Sequence, residues 1–184
     1  MWIAVIVIVV VVLIFVVWPI AIYNRLVALR LRIDNAWSQI DVQLNRRNDL
    51  IPNLVETVKG YASHERETLE GVTAARNAAV SAQTPAEQAT ADNMITGALG
   101  KLFALQEAYP DLKADQNFRQ LQEELTSTED RIAYARQFYN DQVRGYNTSI
   151  QQFPALIVAR AGKFEEREFF DAPEDARAVP RVEF

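Results

Sequence analysis

The apolar positions along this chain fall into three patterns. From Trp2 to Tyr23 they are nearly continuous: WIAVIVIVVVVLIFVVWPIAIY contains no charged side chain. From about Ile33 to Phe153 they recur at alternating three- and four-residue steps, the stripe of helices that bury one face. Beyond Pro154 the phenylalanines Phe164, Phe169 and Phe170 are interleaved with charges, and Pro173 and Pro180 punctuate the end.

The continuous run predicts a transmembrane helix. At 1.5 Å per residue its roughly 22 residues span about 33 Å, enough to cross a hydrocarbon core of about 30 Å. A Val/Ile-rich run can also be a buried strand, but strands rarely exceed about ten residues. A lone span in lipid must satisfy its own backbone hydrogen bonds, which requires a helix. Trp2, Trp18 and Tyr23 suit the two interfaces, and Pro19 predicts a kink near the exit. The competing reading is a cleaved signal peptide. Against it, no Lys or Arg precedes the run, the run is longer than such a segment's apolar core, and no A-x-A site follows. Arg25, Arg30 and Arg32 lie just after the run. By the positive-inside rule they predict an N-terminus outside and a cytoplasmic C-terminal domain. They are also candidate contacts for anionic headgroups, at about 1 kcal/mol per charge near the surface. The helical pattern continues from Tyr23 without a breaker, so anchor and first bundle helix are expected to form one stiff rod.

The first periodic seam is Ile33, Trp37, Ile40, Leu44, Ile51, Leu54, Val58 and Tyr61, interrupted by Arg47. Leu69 and Val72 continue it with a slight phase shift. Ala74, Ala75, Ala78 and Ala79 then extend helix propensity to about Ser81. Pro52 removes a hydrogen bond to the carbonyl of Asn48 and predicts a kink, the alternative being a break there with a new helix after it. Gly60 is a second weak point. Thr84, Pro85 and Glu87 form a capping box with proline at the first helical position. The helix they open buries Ile95, Leu99, Leu102 and Leu105 or Phe103, and is expected to end at Tyr109, before Pro110. Asp111 or Asp115 caps a third helix, whose seam is Phe118, Leu121, Leu125, Ile132, Tyr139, Tyr146, Ile150 and Phe153. Thr128, Ala135 and Gln142 fill its remaining positions, giving about five heptads, or roughly 50 Å, and Pro154 ends it. The pattern predicts an all-α chain in which an N-terminal transmembrane helix continues into an antiparallel bundle of three long helices with a partly extended C-terminal tail. The expected divisions are an anchor over 1–24, a helical bundle over 25–154 and a tail over 155–184.

Composition narrows the chemistry. The 184 residues carry a net charge of −5, which disfavours general nucleic-acid binding. With no cysteine and one histidine, thiolate catalysis, disulfides, Cys-based metal centres and multi-His metal sites within one chain are excluded. His64 and Glu67 share a helix face but supply only two ligands, and the second histidine of an H-E-x-x-H helix is missing. Glu123, Glu124, Glu129 and Asp130 read as a solvated face rather than a di-iron carboxylate set, since no histidine accompanies them. Arg46, Arg47 and Asp49 crowd against Pro52. They read first as an ion-pair network in which Arg47, at a seam position, reaches Glu124 or Glu129, and second as a site for an anionic partner. Asn45, Asn48 and Asn53 add a polar stripe suited to fixing helix register. Asn147-Thr148-Ser149 matches a glycosylation pattern by chance, inside a predicted helix. There is no phosphate-binding glycine loop and no nucleophile elbow. No cofactor and no small-molecule substrate is expected.

Three stretches carry a resemblance: AWSQIDVQLNRRNDLIPNLVETVKGYASHE (36–65), YPDLKADQNFRQLQEEL (109–125) and YNDQVRGYNTSIQQFP (139–154), with YNRLVALR (23–30) before them. Together they closely resemble the LemA family, over almost the whole chain and in the expected order. The resemblance implies a bacterial single-pass inner-membrane protein with a helical cytoplasmic domain, some relatives of which occur in magnetosome membranes. It implies no catalytic residues. The expected function is therefore a membrane-anchored, non-catalytic scaffold that touches the lipid bilayer and self-associates or recruits membrane protein partners. The alternatives are a lipid-sensing or envelope-stress regulator and, less favoured, a metal-dependent enzyme.

Overall fold

A computed structural model describes residues 2–171, apart from the side chains of residues 4, 7, 8, 10, 11 and 14. Its first element, α1, is one helix from Trp2 to Tyr61. Among the described residues no helix is long and apolar enough to cross a membrane. The six undescribed side chains all fall within the run from Trp2 to Tyr23, so the span expected there lies partly outside the described residues.

α1 passes through Pro52 without a break. The carbonyl of Asn48, which the proline cannot serve, accepts instead a 2.8 Å hydrogen bond from Nε of Arg76. The helix stops ten residues later, at a turn over residues 62–65. The expected helix from Ile33 to about Ser81 is therefore two helices, α1 and α2 (Arg66–Ser81). Gly60, Ser63 and His64 favour the helix little, and the phase shift at Leu69 and Val72 marks the reversal rather than a drift of one stripe. Ala62, not the exposed Tyr61, closes the buried seam of α1.

α3 (Pro85–Ala104) begins as the sequence predicts. Thr84 Oγ1 accepts from the Glu87 backbone N–H, and the Glu87 carboxylate accepts from the backbone N–H groups of Thr84 and Gln83, which lowers its pKa. α3 ends five residues before Tyr109, in a 3₁₀ turn over Leu105–Glu107, and the one-turn α4 (Pro110–Ala114) follows. Asp115 then accepts from the Phe118 N–H to start α5 (Gln116–Gln151). That bond and one from the Tyr61 hydroxyl hold its carboxyl below the usual carboxylate range, and the bond to Asp115 raises the Tyr61 pKa. α6 (Ala155–Ala161) opens the tail, and an extended segment follows it. The expectations placed on Pro173 and Pro180 lie outside the described residues.

The chain divides into two compact units. The first holds the described residues up to 38 together with 138–168; the second holds 39–137 together with those from 169 on. The all-α expectation holds throughout the described residues, but the count of three bundle helices does not. In the second unit α1, α2, α3 and α5 form four antiparallel helices around a core that includes Ile51, Leu54, Val72, Ile95, Leu102 and Phe118. In the first unit Leu26, Ile33, Tyr139, Val143, Tyr146 and Ile150 are buried. Phe153, expected in the seam, is exposed.

Replacing Thr84 with Ala should cost about 1 kcal/mol. The expected result is a thermal midpoint lowered by about 2–4 °C, read by circular dichroism of the full chain in detergent.

Candidate functional site

In the second unit one polar layer draws on all four helices. Arg47 is 1% exposed. Its Nη2 lies 2.5 Å from Asp92 Oδ1 on α3, and its Nη1 lies 2.8 Å from Glu129 Oε2 on α5. The Thr96 hydroxyl donates to the other oxygen of Glu129, at 3.2 Å. Arg136 reaches Asp92 Oδ2 at 3.9 Å. The backbone carbonyl of Asn48, next to Arg47, holds Arg76 of α2. A buried guanidinium is tolerated because two carboxylates meet two of its three nitrogens.

Of the two carboxylates expected to meet Arg47, Glu129 does so, while Glu124 lies 3.8 Å from Arg46 instead. Asp49 is exposed and takes no part in the network. Asn48 is buried; Asn45 and Asn53 are exposed. Sequence reasoning missed Asp92 and Arg76. Asp92 had a signal: it stands three residues before Ile95 on the buried stripe of α3, where a carboxylate needs a cation. Arg76 had only the carbonyl freed by Pro52. His64 sits in the turn between α1 and α2, and Glu67 one residue into α2, so the shared face expected for them is not formed. Among the described residues no group of three or more His, Asp or Glu side chains is placed to hold a metal ion. An open groove between α1 and α2 is floored by Val55 and Leu69 and edged by Glu56, Lys59, Arg66 and Glu70. Its lining hydroxyls are those of Ser63 and Thr73, and the Thr73 hydroxyl donates to the Leu69 carbonyl at 2.9 Å.

The first unit holds a different device. Residues 164–168 lie extended along α5, and side chains of α5 read their main chain. The Tyr146 hydroxyl donates to the Glu165 carbonyl at 2.9 Å and the Tyr139 hydroxyl to the Glu168 carbonyl at 2.8 Å. Asn147 grips one residue twice: its Nδ2 donates to the Arg167 carbonyl, and its Oδ1 accepts the Arg167 N–H, both at 2.9 Å. Burial pushes both tyrosine pKa values up. The strap also ties to α1. Arg167 pairs with Asp34 at 3.0 Å, and the Phe164 ring packs edge-on against Tyr23, with ring centroids 5.3 Å apart. A side chain at Gly162 would collide with that Phe164 ring, so the glycine permits the fold-back.

The three arginines that follow the apolar run are all exposed. The Arg30 guanidinium stands 5.7 Å over the Phe164 ring and helps hold the strap, whereas Arg25 and Arg32 make no ion pair among the described residues.

Residues 36–184 match the LemA family. Protein LemA of Metamycoplasma hominis is 31% identical over 84% of this chain and 71% of its own length. Magnetosome protein MamQ 2 of Paramagnetospirillum magneticum is 26% identical, and Magnetosome protein MamQ of Magnetospirillum gryphiswaldense is 25% identical. Each of these covers 80% of this chain but 64% of its own length, so the chain spans less than two thirds of those two relatives.

Arg47→Met should strand Asp92 and cost roughly 3–5 kcal/mol. In urea unfolding of the full chain in detergent, Arg47→Met with Asp92→Leu is expected to be more stable than Arg47→Met alone; an equal or larger loss would contradict the pairing. In the first unit Asn147→Leu should free the Arg167 amide, and hydrogen exchange should rise over residues 164–168 while the second unit stays protected.

Proposed function

We propose that this chain, which belongs to the LemA family, is a membrane-anchored helical scaffold without catalytic activity. In this reading the segment from Trp2 to Tyr23 crosses the bacterial inner membrane, and the remainder gathers copies of itself or membrane protein partners on the cytoplasmic side. One observation carries the reading. The first part of α1 is an uncharged helix most of whose described side chains, among them Ile3, Val9, Phe15, Val17 and Ile20, are exposed. Leaving that much apolar surface in water is unfavourable by about 25 cal/mol per Å². A hydrocarbon layer covers it, and the helix already satisfies its own backbone hydrogen bonds there.

Further support comes from the names of relatives and from charge. Two of the relatives are named as magnetosome proteins. Arg25, Arg30 and Arg32 follow the apolar run, where the positive-inside rule expects cytoplasmic flanks. The scaffold reading draws on the second unit, where the buried charges fix helix register and Val42, Met94 and Tyr134 are left exposed on its surface. Such residues suit contact with a partner.

Full-length protein is expected to stay with bacterial membranes through an alkaline carbonate wash, and a variant lacking residues 2–23 to be released. Alkaline phosphatase fused after Phe184 should be inactive. Light scattering of the detergent-solubilised chain should give an oligomeric mass, or crosslinking in native membranes a partner. Release of the full chain would sink the anchor, strong phosphatase activity the orientation, and a strict monomer with no crosslinked partner the scaffold.

A further inference from the structure

The first unit carries an apolar surface that none of its own residues covers. Phe153, in the turn after α5, is 78% exposed, and Ile157, on α6, is 60% exposed. Both belong to a short stretch that ends in two exposed cations, Arg160 and Lys163. In solution large exposed side chains this close together are unusual unless something covers them.

The register of the unit indicates what lies opposite. Trp37 on α1 packs against Tyr139 on α5, ring centroids 5.5 Å apart. Seven residues back along α1 and seven forward along α5, Arg30 and Tyr146 are the next matching positions. The helices are antiparallel, so the next such step brings Phe153 level with Tyr23, the last residue of the apolar run. The other end of the stretch returns to the same level: the Phe164 ring rests on Tyr23, and the Tyr23 ring lies 3.2 Å from where a Cβ on Gly162 would stand. The α5–α6 turn and α6 thus begin and end beside the point where α1 leaves its uncharged segment.

We infer that residues 153–163 form a second membrane contact, an interfacial element whose Phe153 and Ile157 enter the headgroup layer of the same bilayer that α1 crosses, with Arg160 and Lys163 at anionic headgroups. This rests on the anchor reading above. An aromatic and an aliphatic side chain flanked by cations is the composition of segments that lie in the plane of a membrane surface. Of the acidic residues that follow, one stays at this end: the Glu166 carboxylate accepts from Gln151 Nε2 at 2.8 Å, next to the α5–α6 turn, and Arg160 and Lys163 outnumber it. Glu165 and Glu168 follow the strap as it returns along α5, level with Tyr146 and Tyr139, away from the end that carries Phe153. A bilayer also accounts for the exposure of both residues at one level; a protein partner would have to share that level with lipid.

The absence of cysteine allows a direct test. Single variants Phe153→Cys, Ile157→Cys, Val12→Cys and Val80→Cys of the full chain are labelled with an environment-sensitive fluorophore. They are reconstituted in vesicles of zwitterionic lipid with a minority of phosphatidylglycerol. The expected result is blue-shifted emission at 153 and 157 that a headgroup-depth nitroxide lipid largely quenches. Val12 should be quenched by an acyl-chain nitroxide, and Val80 should remain water-exposed. If Val12 is quenched but 153 and 157 behave like Val80, the interfacial contact is wrong and the anchor stands. If a blue shift at 153 and 157 survives in detergent and is untouched by lipid nitroxide, a protein surface covers them and the proposal is overturned. If Val12 is itself water-exposed, both readings fall.

Discussion

The second unit depends on one buried positive charge. Removing a guanidinium from water costs several kcal/mol, and the cost is offset only if its partners arrive in the right places. For Arg47 those partners are Asp92 and Glu129, on two different helices. An apolar stripe alone tolerates sliding by a heptad, because one leucine fills a hole much as another does. A charge that must meet two carboxylates does not tolerate it. The neighbouring carbonyl of Asn48 extends the same logic to α2 through Arg76. The proline that disrupts α1's own ladder thus creates the acceptor by which α1 is tied to the next helix.

The first unit is fixed by another principle. There the side chains of α5 do not meet side chains; they meet a main chain. Asn147 satisfies both polar groups of the Arg167 peptide, and the hydroxyls of Tyr139 and Tyr146 take two carbonyls of the same strap. An extended segment has no hydrogen-bond ladder of its own, so an ordered position for it requires such partners. The tyrosines do two jobs, burying their rings in the helix interface and spending their hydroxyls at its edge.

Much of this was legible in the sequence, and the failures have physical causes. The seam from Ile33 to Val58 and the seam from Phe118 to Ile150 follow the helical repeat, because burial on one face imposes it. The capping box at Thr84 and the cap at Asp115 were readable because each satisfies a local, obligatory donor. The reversal at residues 62–65 was not. It carries neither proline nor a run of glycines, and the alanine-rich α2 resumes a helical stripe at once, so a change of direction looked like a change of phase. Arg47 announced itself as a charge in a seam. Its partner Asp92 lies 45 residues away and could be found only by asking which carboxylate occupied a buried position. The strap was hidden because a main chain gripped by side chains leaves no periodic trace.

The first unit is assembled from the two ends of the described chain. Its contacts join positions as far apart as Asp34 and Arg167, separated by 133 residues. During biosynthesis the early part of α1 therefore waits, unpaired, while the whole intervening chain is made. At about 5–20 residues per second that wait lasts on the order of ten seconds. The second unit's first three helices are consecutive and pair with their neighbours, so they form early. The Leu26, Ile33 and Ala36 face of α1 stays open until α5 and the strap emerge to cover it. A chaperone that recognises exposed apolar helix would have its longest opportunity there, and a ribosome that stalls before residue 139 would leave a nascent chain with that face still uncovered.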